Sequence, residues 1–323
     1  MTDVVVIGSF NVDHAWATAT LPRPGETLGG EYHSGPGGKG FNQATAAARA
    51  GANTLFVCAL GDDAGGQLAR ALAVADGIAL HDQRSAAPTG TAGIFVDASG
   101  RNCIVIGPGA NATLTPEFVA GQAAAFSGAR VVLAQLETPA NAAITAFALA
   151  RDAGAATVLN PAPSDASAPA GLLALTDVIT PNETEFCAQL ERHIGTRIDA
   201  STLVAQDDGA LHALCRRLLP HGSVVITLGS AGCFVSHAEA NARGDASPHY
   251  RLPAEAANAI DTTGAGDAFN GALAASWAEA ADAPFATHVR FANRYAALST
   301  EAAGAAASMP RRAEVVARFG AAR

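Results

Sequence analysis

The sequence predicts an α/β fold, with a central, mostly parallel β-sheet flanked by helices and a second, small β-sheet beside it. Three observations predict it: strand-length apolar runs ending in Gly, Asn or Pro, Ala-rich helical stretches between those runs, and two β-patterned segments that have no helix to pair with. "VVVIG" (4–8) opens the chain as a buried strand. Residues 14–36 then alternate in the β manner without a following helix. "NQATAAARAGA" (42–52) has helical spacing and is stopped by Gly51. "TLFVCALG" (54–61) returns as a strand, and 88–108 is the second helix-free β segment, where "TAGIFVDASGRNCIVIG" turns at "ASG" (98–100). "RVVLAQLE" (130–137), the helix "NAAITAFALARDAG" (141–154) ended by Gly154, and "ATVLNP" (156–161) form the next strand–helix–strand unit. "DVITPN" (177–182) and "SVVITLG" (223–229) are the last buried strands, while 164–171 and 237–256 read as loops.

The chain of 323 residues is long enough to bury a full core, and one α/β domain over 1–323 accommodates the pattern. No apolar run approaches the roughly 18 residues of a membrane span, and "MTDVVVIGSF" lacks the basic start of a signal peptide, so the expected location is the cytoplasm. A formal net charge of −9 disfavours nonspecific binding to nucleic acid or anionic membranes, which leaves small-molecule chemistry. The five cysteines are odd in number and form no CxxC, so neither a disulfide framework nor a zinc site is expected. They read as reduced packing residues.

Ligands of open α/β sheets bind at the carboxyl ends of the strands. Here those ends are polar: Asn11 and Asp13 in "GSFNVD", then Glu137, "NPAPS", "TPNETE" and "TLGSAG". Any one of these could simply cap a helix or form a turn, but five such ends in one chain point to a site. "GPGGKG" (35–40) matches G-x-G-x-x-G at Gly35, Gly37 and Gly40, yet no buried strand precedes it. It also has Gly-Lys, but Gly40 stands where a P-loop needs Ser or Thr. It does precede a helix, so its amides and Lys39 can still face a polar ligand.

"DTTGAGDAFNGAL" (261–273) packs two glycines into a turn that opens a helix, and sets acids at Asp261 and Asp267. Gly264 and Gly266 let unpaired N–H groups converge in the field of the helix N-terminus, an anion hole suited to a phosphoryl group in flight. Such a hole does nothing for a hydroxyl nucleophile, which needs a base. Asp267, in the first helical turn, fits that part. The alternative is an acid that merely complements the helix dipole.

"GGKGFNQATAAARAGA" and "DTTGAGDAFNGAL" resemble, in order and spacing, the two signatures of the ribokinase-like (PfkB) carbohydrate kinase family. The similarity runs nearly end to end through "PRPGETLGGEYHSGPGGKG", "GDDAGG", "PTGTAGIFV", "GPGAN", "LNPAPS", "TPNETE", "TLGSAG" and "RFAN". It implies a ribokinase-like fold, in which 14–36 and 88–108 form a β-sheet lid that also pairs two subunits as a homodimer. It also implies ATP-dependent phosphorylation of a sugar at its terminal hydroxyl, giving D-ribose 5-phosphate if the sugar is ribose. Other acceptors open to the family are another pentose, deoxyribose or a nucleoside. A sugar-sensing protein on a dead kinase scaffold would have lost Asp267 or the glycine turn, and both are present.

By the family pattern Asn11 and Asp13 hold vicinal hydroxyls of the sugar, Gly38, Lys39, Gly40 and Asn42 line the same pocket, Glu137 closes it, and Asp267 faces the reacting hydroxyl. Asn182 and Glu185 fall near the nucleotide phosphates and Mg²⁺. Thr227, Gly229, Ser230 and Gly232 form the loop under the nucleotide, Gly266 belongs to the anion hole, and Asn293 falls beside the adenine. Asp261, Thr263, Ser299, Ala302, Gly304 and Ser308 match a monovalent-cation site for K⁺. The alternative for Asp261 is a cap on the turn through the Thr262 and Thr263 amides. Three features depart from the commonest pattern: Phe41, close to the sugar loop, where a small residue is frequent, Asn293, where a His is frequent, and "GPGAN", which replaces a related turn of the lid.

Overall fold

The computed structural model describes residues 2–239 and 241–320. In chain order the elements of the first half are β1 (Val4–Ile7), β2 (Asn11–Thr18), β3 (Glu31–Gly37), α1 (Lys39–Arg49), β4 (Thr54–Gly61), α2 (Ala64–Ala75), β5 (Ala79–Ser85), β6 (Gly90–Asp97), β7 (Asn102–Gly107), α3 (Pro116–Ala120), α4 (Ala123–Phe126), β8 (Val131–Ala134) and α5 (Ala140–Asp152). The second half holds β9 (Ala156–Leu159), α6 (Ala170–Ala174), β10 (Val178–Ile179), α7 (Glu183–Ile194), α8 (Asp208–Leu218), β11 (Ser223–Thr227), β12 (Cys233–Ser236), β13 (His249–Leu252), α9 (Ala265–Glu279), α10 (Phe285–Ser299) and α11 (Arg312–Phe319).

The main sheet runs β13-β12-β11-β10-β9-β8-β1-β4-β5. It is parallel from β5 to β11 and antiparallel only at β12 and β13. Successive residues of β1 enter opposite cores: Val4 and Val6 join α1, α9 and α10, whereas Val5 and Ile7 join α5, α7 and α8. A strand covered on both faces has no polar side, so it reads as an unbroken apolar run. The small sheet, ordered β3-β2-β6-β7, stands apart from this stack.

Four segments differ from the sequence expectation. The helix expected from residue 42 begins at Lys39, because the backbone leaves Gly38 at φ +86° and winds directly into α1. The stretch 237–256, expected as a loop, contains β13, which pairs as an edge strand through "HYRL", and α6 begins inside the expected loop 164–171. β5, "ALHDQRS", is the other edge strand and carries too little apolar character to be seen. Edge strands are half-solvated, which removes the hydrophobic run that marks their neighbours.

The close approach of α1 to α9 brings the polar ends of the two helices together. A Cβ on Gly271 would sit 2.4 Å from the Gln43 carbonyl and 2.5 Å from the Ala46 Cβ. Glycine and alanine at the crossing therefore let two helix backbones nearly touch, which sets the first turns of both helices side by side. Phe41 is drawn the other way: it is 1% exposed and packs edge-on against Phe10 at 5.1 Å and against Phe56 at 5.9 Å. The ring is therefore part of the core.

Candidate functional site

The carboxyl ends of the strands, α1 and the glycine turn before α9 enclose a cavity of about 160 Å³. Lys39, Asn182, Glu185, Thr227, Gly264, Gly266 and Asp267 line it, together with Asn160, Thr180 and Asn270. A larger cavity of about 290 Å³, among Arg243, Trp277 and His288, contains none of the expected residues. There the Arg243 guanidinium lies 4.8 Å from the Trp277 ring centre and donates to Ser223 Oγ and the Asp177 carbonyl, which is structural work.

Gly264 caps α9 in the left-handed region (φ +76°) and no side chain closes the cap; the Ala265 amide turns back to the Thr262 carbonyl at 3.2 Å, which leaves those of Gly266 and Asp267 to face an anion. A Cβ on Gly264 would meet Ala305 at 3.0 Å, whereas one on Gly266 would enter open space. Gly266 is thus small for the sake of the cavity, not of the packing. Gly266→Ala is expected to leave thermal stability unchanged or slightly raised, since Ala favours helix by up to about 1 kcal/mol. It should also lower kcat by about 10²-fold or more by intruding on the anion hole. Calorimetry and steady-state kinetics on the variant check both halves, and parental kcat would overturn the assignment.

Asp267 is buried at 6% exposure. Its Oδ2 accepts from Asn42 Nδ2 at 2.9 Å and its Oδ1 from Gln43 Nε2 at 2.8 Å. Burial raises its pKa above the usual carboxylate value, with Lys39 and the two amides pulling the other way. Burial alone would lower the Lys39 pKa, but Asp267, Glu137 and Glu185 surround the ammonium and raise it instead. Asp13 is pushed up to about 6, first by burial and then by Glu137 and Asp267.

The other residues expected on the sugar side, Asn11, Asp13, Gly38, Gly40, Asn42 and Glu137, lie outside the lining of that cavity, where β1, β2 and β8 meet the start of α1. Glu137 Oε2 accepts from Ser9 Oγ at 2.5 Å and from the Lys39 amide at 3.0 Å, which ties the end of β8 to the start of α1. A Cβ on Gly40 would lie 2.5 Å from the Gly8 carbonyl carbon, so only glycine admits this contact. Asn11 Oδ1 accepts from Asn111 at 2.8 Å, while Asn111 also bonds both backbone groups of Phe10. The Asn42 Oδ1 is buried without a hydrogen-bond partner, a vacant acceptor beside Asp267.

On the opposite side, Asn182 and Glu185 cap α7 reciprocally, at 2.8 and 2.9 Å, and Asn182 bridges Thr227. Burial raises the Glu185 pKa. Gly229, Ser230 and Gly232 shape the tight turn between β11 and β12, and Asn293 of α10 reaches its end through Cys233 Sγ at 3.5 Å. These four lie beyond the lining of the cavity itself. Asp261 bonds one of the two amides expected of a turn cap, Thr263 at 2.9 Å, while its other oxygen takes the Gly304 amide at 2.9 Å. The carboxylate thereby joins the turn to the segment that carries Ser299, Ala302, Gly304 and Ser308. Burial alone would raise its pKa, yet these donors hold it below the usual value.

Sequence reasoning missed Ser9, Gln43, Gln135, Asn160, Thr180 and Asn270 as individual residues. Asn160 and Thr180 lie inside the "NPAPS" and "TPNETE" strand ends or directly beside them, and Gln43 is the neighbour of Asn42. Among the described residues no three His, Cys, Asp or Glu side chains are grouped to hold a metal ion.

The model of the pfkB family of carbohydrate kinases matches residues 1–312. Ribokinase of Staphylococcus aureus is 39% identical over 326 residues, covering 97% of this chain and 98% of that one. The bifunctional ribokinase/ribose-5-phosphate isomerase A of Fructilactobacillus sanfranciscensis is 36% identical over 325 residues. There the match covers 98% of this chain and 56% of the other, so this chain spans little more than half of that relative. Arabidopsis thaliana ribokinase, solved with ribose and ATP, superposes with a TM-score of 0.78 at 30% identity, covering 98% of both chains.

Proposed function

The chain belongs to the pfkB family of carbohydrate kinases, and from that premise we propose that it transfers the terminal phosphoryl group of ATP to the 5-hydroxyl of D-ribose, giving D-ribose 5-phosphate. The observation that carries this assignment is the buried Asp267 carboxylate, gripped by two amides at the mouth of an uncapped glycine turn. The ribose and ATP named for the relatives support the choice of substrates.

Asn11 and Asp13 accept vicinal hydroxyls, as a carboxylate with several lone pairs can. Gly38, Lys39 and Gly40 wall the sugar, and Glu137 anchors the loop that closes on it. The vacant Asn42 Oδ1 accepts a further hydroxyl. Asp267 takes the proton as the 5-hydroxyl attacks, while the amides of Gly266 and Asp267 and the Lys39 ammonium receive charge developing on the phosphoryl oxygens. Burial keeps water out and strengthens each of these interactions. Thr227, Gly229, Ser230, Gly232 and Asn293 support the nucleotide.

Glu185 and Asn182 suit Mg²⁺ carried by the nucleotide, because a hard ion that keeps its waters needs only one or two oxygen side chains. Bound there, the ion neutralises phosphate charge. The Asp261 bridge suits K⁺: its ligands would be that carboxylate and oxygens of Thr263, Ser299, Ala302, Gly304 and Ser308. The bound ion supplies charge that fastens this segment behind Gly264. At equal ionic strength K⁺ is expected to raise activity well above Na⁺ or a bulky organic cation, and Asp261→Ala to erase the difference. Equal rates in all three salts would remove the site.

The exposed β7, with Ile104, Val105 and Ile106 at 51, 66 and 48% exposure, supports a homodimer through the small sheet, which would act as a lid. Light scattering at micromolar concentration should give twice the chain mass, and Val105→Lys should halve it. The unpaired cysteines support a reducing compartment, the cytoplasm. A coupled ADP-release assay over pentoses, deoxyribose, hexoses and nucleosides tests the assignment. Ribose should give the highest kcat/KM, and a tenfold preference for another acceptor would replace it.

A further inference from the structure

We propose that Gln43 is a positioning residue of the phosphoryl transfer: it aims the Asp267 carboxylate and ties it, through Asn160, Thr180 and Asn270, to the glycine turn that receives the phosphate. The proposal rests on Asp267 acting as the base.

The hydrogen bonds run in one consistent direction. Gln135 Nε2 donates to Gln43 Oε1, which fixes the Gln43 amide with its NH₂ outward. The two protons of that NH₂ go to Asp267 Oδ1 at 2.8 Å and to Asn160 Oδ1 at 3.0 Å. Asn160 Nδ2 then donates to the Thr180 carbonyl at 3.1 Å, and the Thr180 hydroxyl to Asn270 Oδ1. Asn270 Nδ2 closes the chain on the Gly266 carbonyl at 2.8 Å. The base and the anion hole, both on the first turn of α9, are thus also connected across β9, β10 and α1.

Gln43, Asn160, Thr180 and Asn270 are all buried, with Gln43 at 0% exposure. A flipped Gln43 amide would set its oxygen against the Asp267 and Asn160 oxygens and its NH₂ against that of Gln135, so this amide holds one arrangement. Asn42 grips the other oxygen of Asp267, but its own Oδ1 has no partner, so of the two amides Gln43 is the one braced from behind. The charged groups facing Asp267 are Lys39 at the start of α1, Glu137 after β8, Glu185 on α7 and Asp13 on β2. Among these, Lys39 and the two amide donors favour the ionised carboxylate, and the acids oppose it.

The test is the pH profile of kcat for Gln43→Met, which keeps the volume and removes the donors, beside Gln43→Glu, which places a second carboxylate there. Gln43→Met should lower kcat by about 10²-fold, the scale of a misplaced reacting group, with both KM values within about threefold. Its acid limb should move to higher pH, and that of Gln43→Glu further, by about one unit or more. Asn160→Ala removes the second anchor of the Gln43 amide together with the bond to the Thr180 carbonyl, leaves the Gln43 bond to Asp267 in place, and should show the same upward shift with smaller amplitude; it supplies the measurement if the Gln43 variants do not fold. Acid limbs superposed on the parent's in the variants that fold, or a raised KM at unchanged kcat, overturn the proposal. Asp267→Asn run in parallel separates the two ideas, because substantial activity there removes the base itself whatever Gln43 does.

Discussion

Asp267→Asn is expected to lower kcat by about 10²–10⁴-fold while the Kd for ribose and for ATP stay within a few fold of the parent. Asn keeps the volume and can still accept one of the two amides that grip the residue, Asn42 at 2.9 Å or Gln43 at 2.8 Å. What it cannot do is take a proton from the sugar hydroxyl. The glycine turn is untouched, so residual turnover should come from the anion hole alone. Stability is not expected to fall by much, because burial already disfavours the ionised Asp267 that the substitution removes. Isothermal titration with each ligand, next to single-turnover kinetics, separates binding from chemistry. Activity within about tenfold of the parent would mean that another group accepts the proton.

The substitution also shows where sequence stops informing. Asp267 and the glycine turn were legible because they lie side by side in the chain, and the helix start after them fixes their mutual geometry. The central strands were legible because burial on both faces keeps their middles apolar, as in β1 and β8. Gln43 was not, although it adjoins Asn42. Which residue of an Ala-rich helix faces a distant acid depends on how α1 crosses α9, and that crossing is set by a contact at Gly271 more than two hundred residues away. Phe41 shows the same limit in reverse, since its place beside the sugar loop in sequence hid a ring that packs on Phe10 and Phe56. Asn111 had no visible partner in the chain, yet it serves Phe10 as a neighbouring strand would.

Asp13→Ala is expected to weaken ribose binding by about 10²-fold or more, because each charge-assisted hydrogen bond to a hydroxyl contributes about 1.5–3 kcal/mol and Asp13 can accept two. The ATP affinity should barely change. A Cβ on Gly37 would fall 2.1 Å from Asp13 Oδ2, so only glycine at that position leaves room for the carboxylate. That enclosure, with Glu137 and Asp267 nearby, raises the pKa to about 6 from 3.8. Below about pH 6 the folded protein protonates Asp13, an acceptor pair becomes a single donor with less acceptor strength, and ribose affinity falls as the pH is lowered through that value. The empty protein behaves oppositely. Its folded state holds the proton more tightly than the unfolded state, so the stability contributed by protonated Asp13 is present at low pH and is lost as the pH rises from 3.8 through about 6. Removing the side chain should therefore leave the unliganded protein at neutral pH no less stable than the parent, even as it removes most of the sugar affinity. That combination marks a residue kept for binding at a cost to folding. Thermal unfolding of the two proteins at pH 4 and pH 7.5, with ribose titrations between pH 5 and 8, measures both halves. A variant that loses its fold at neutral pH, or one whose ribose affinity keeps the parent's value and pH dependence, would show that Asp13 holds the sheet and not the sugar.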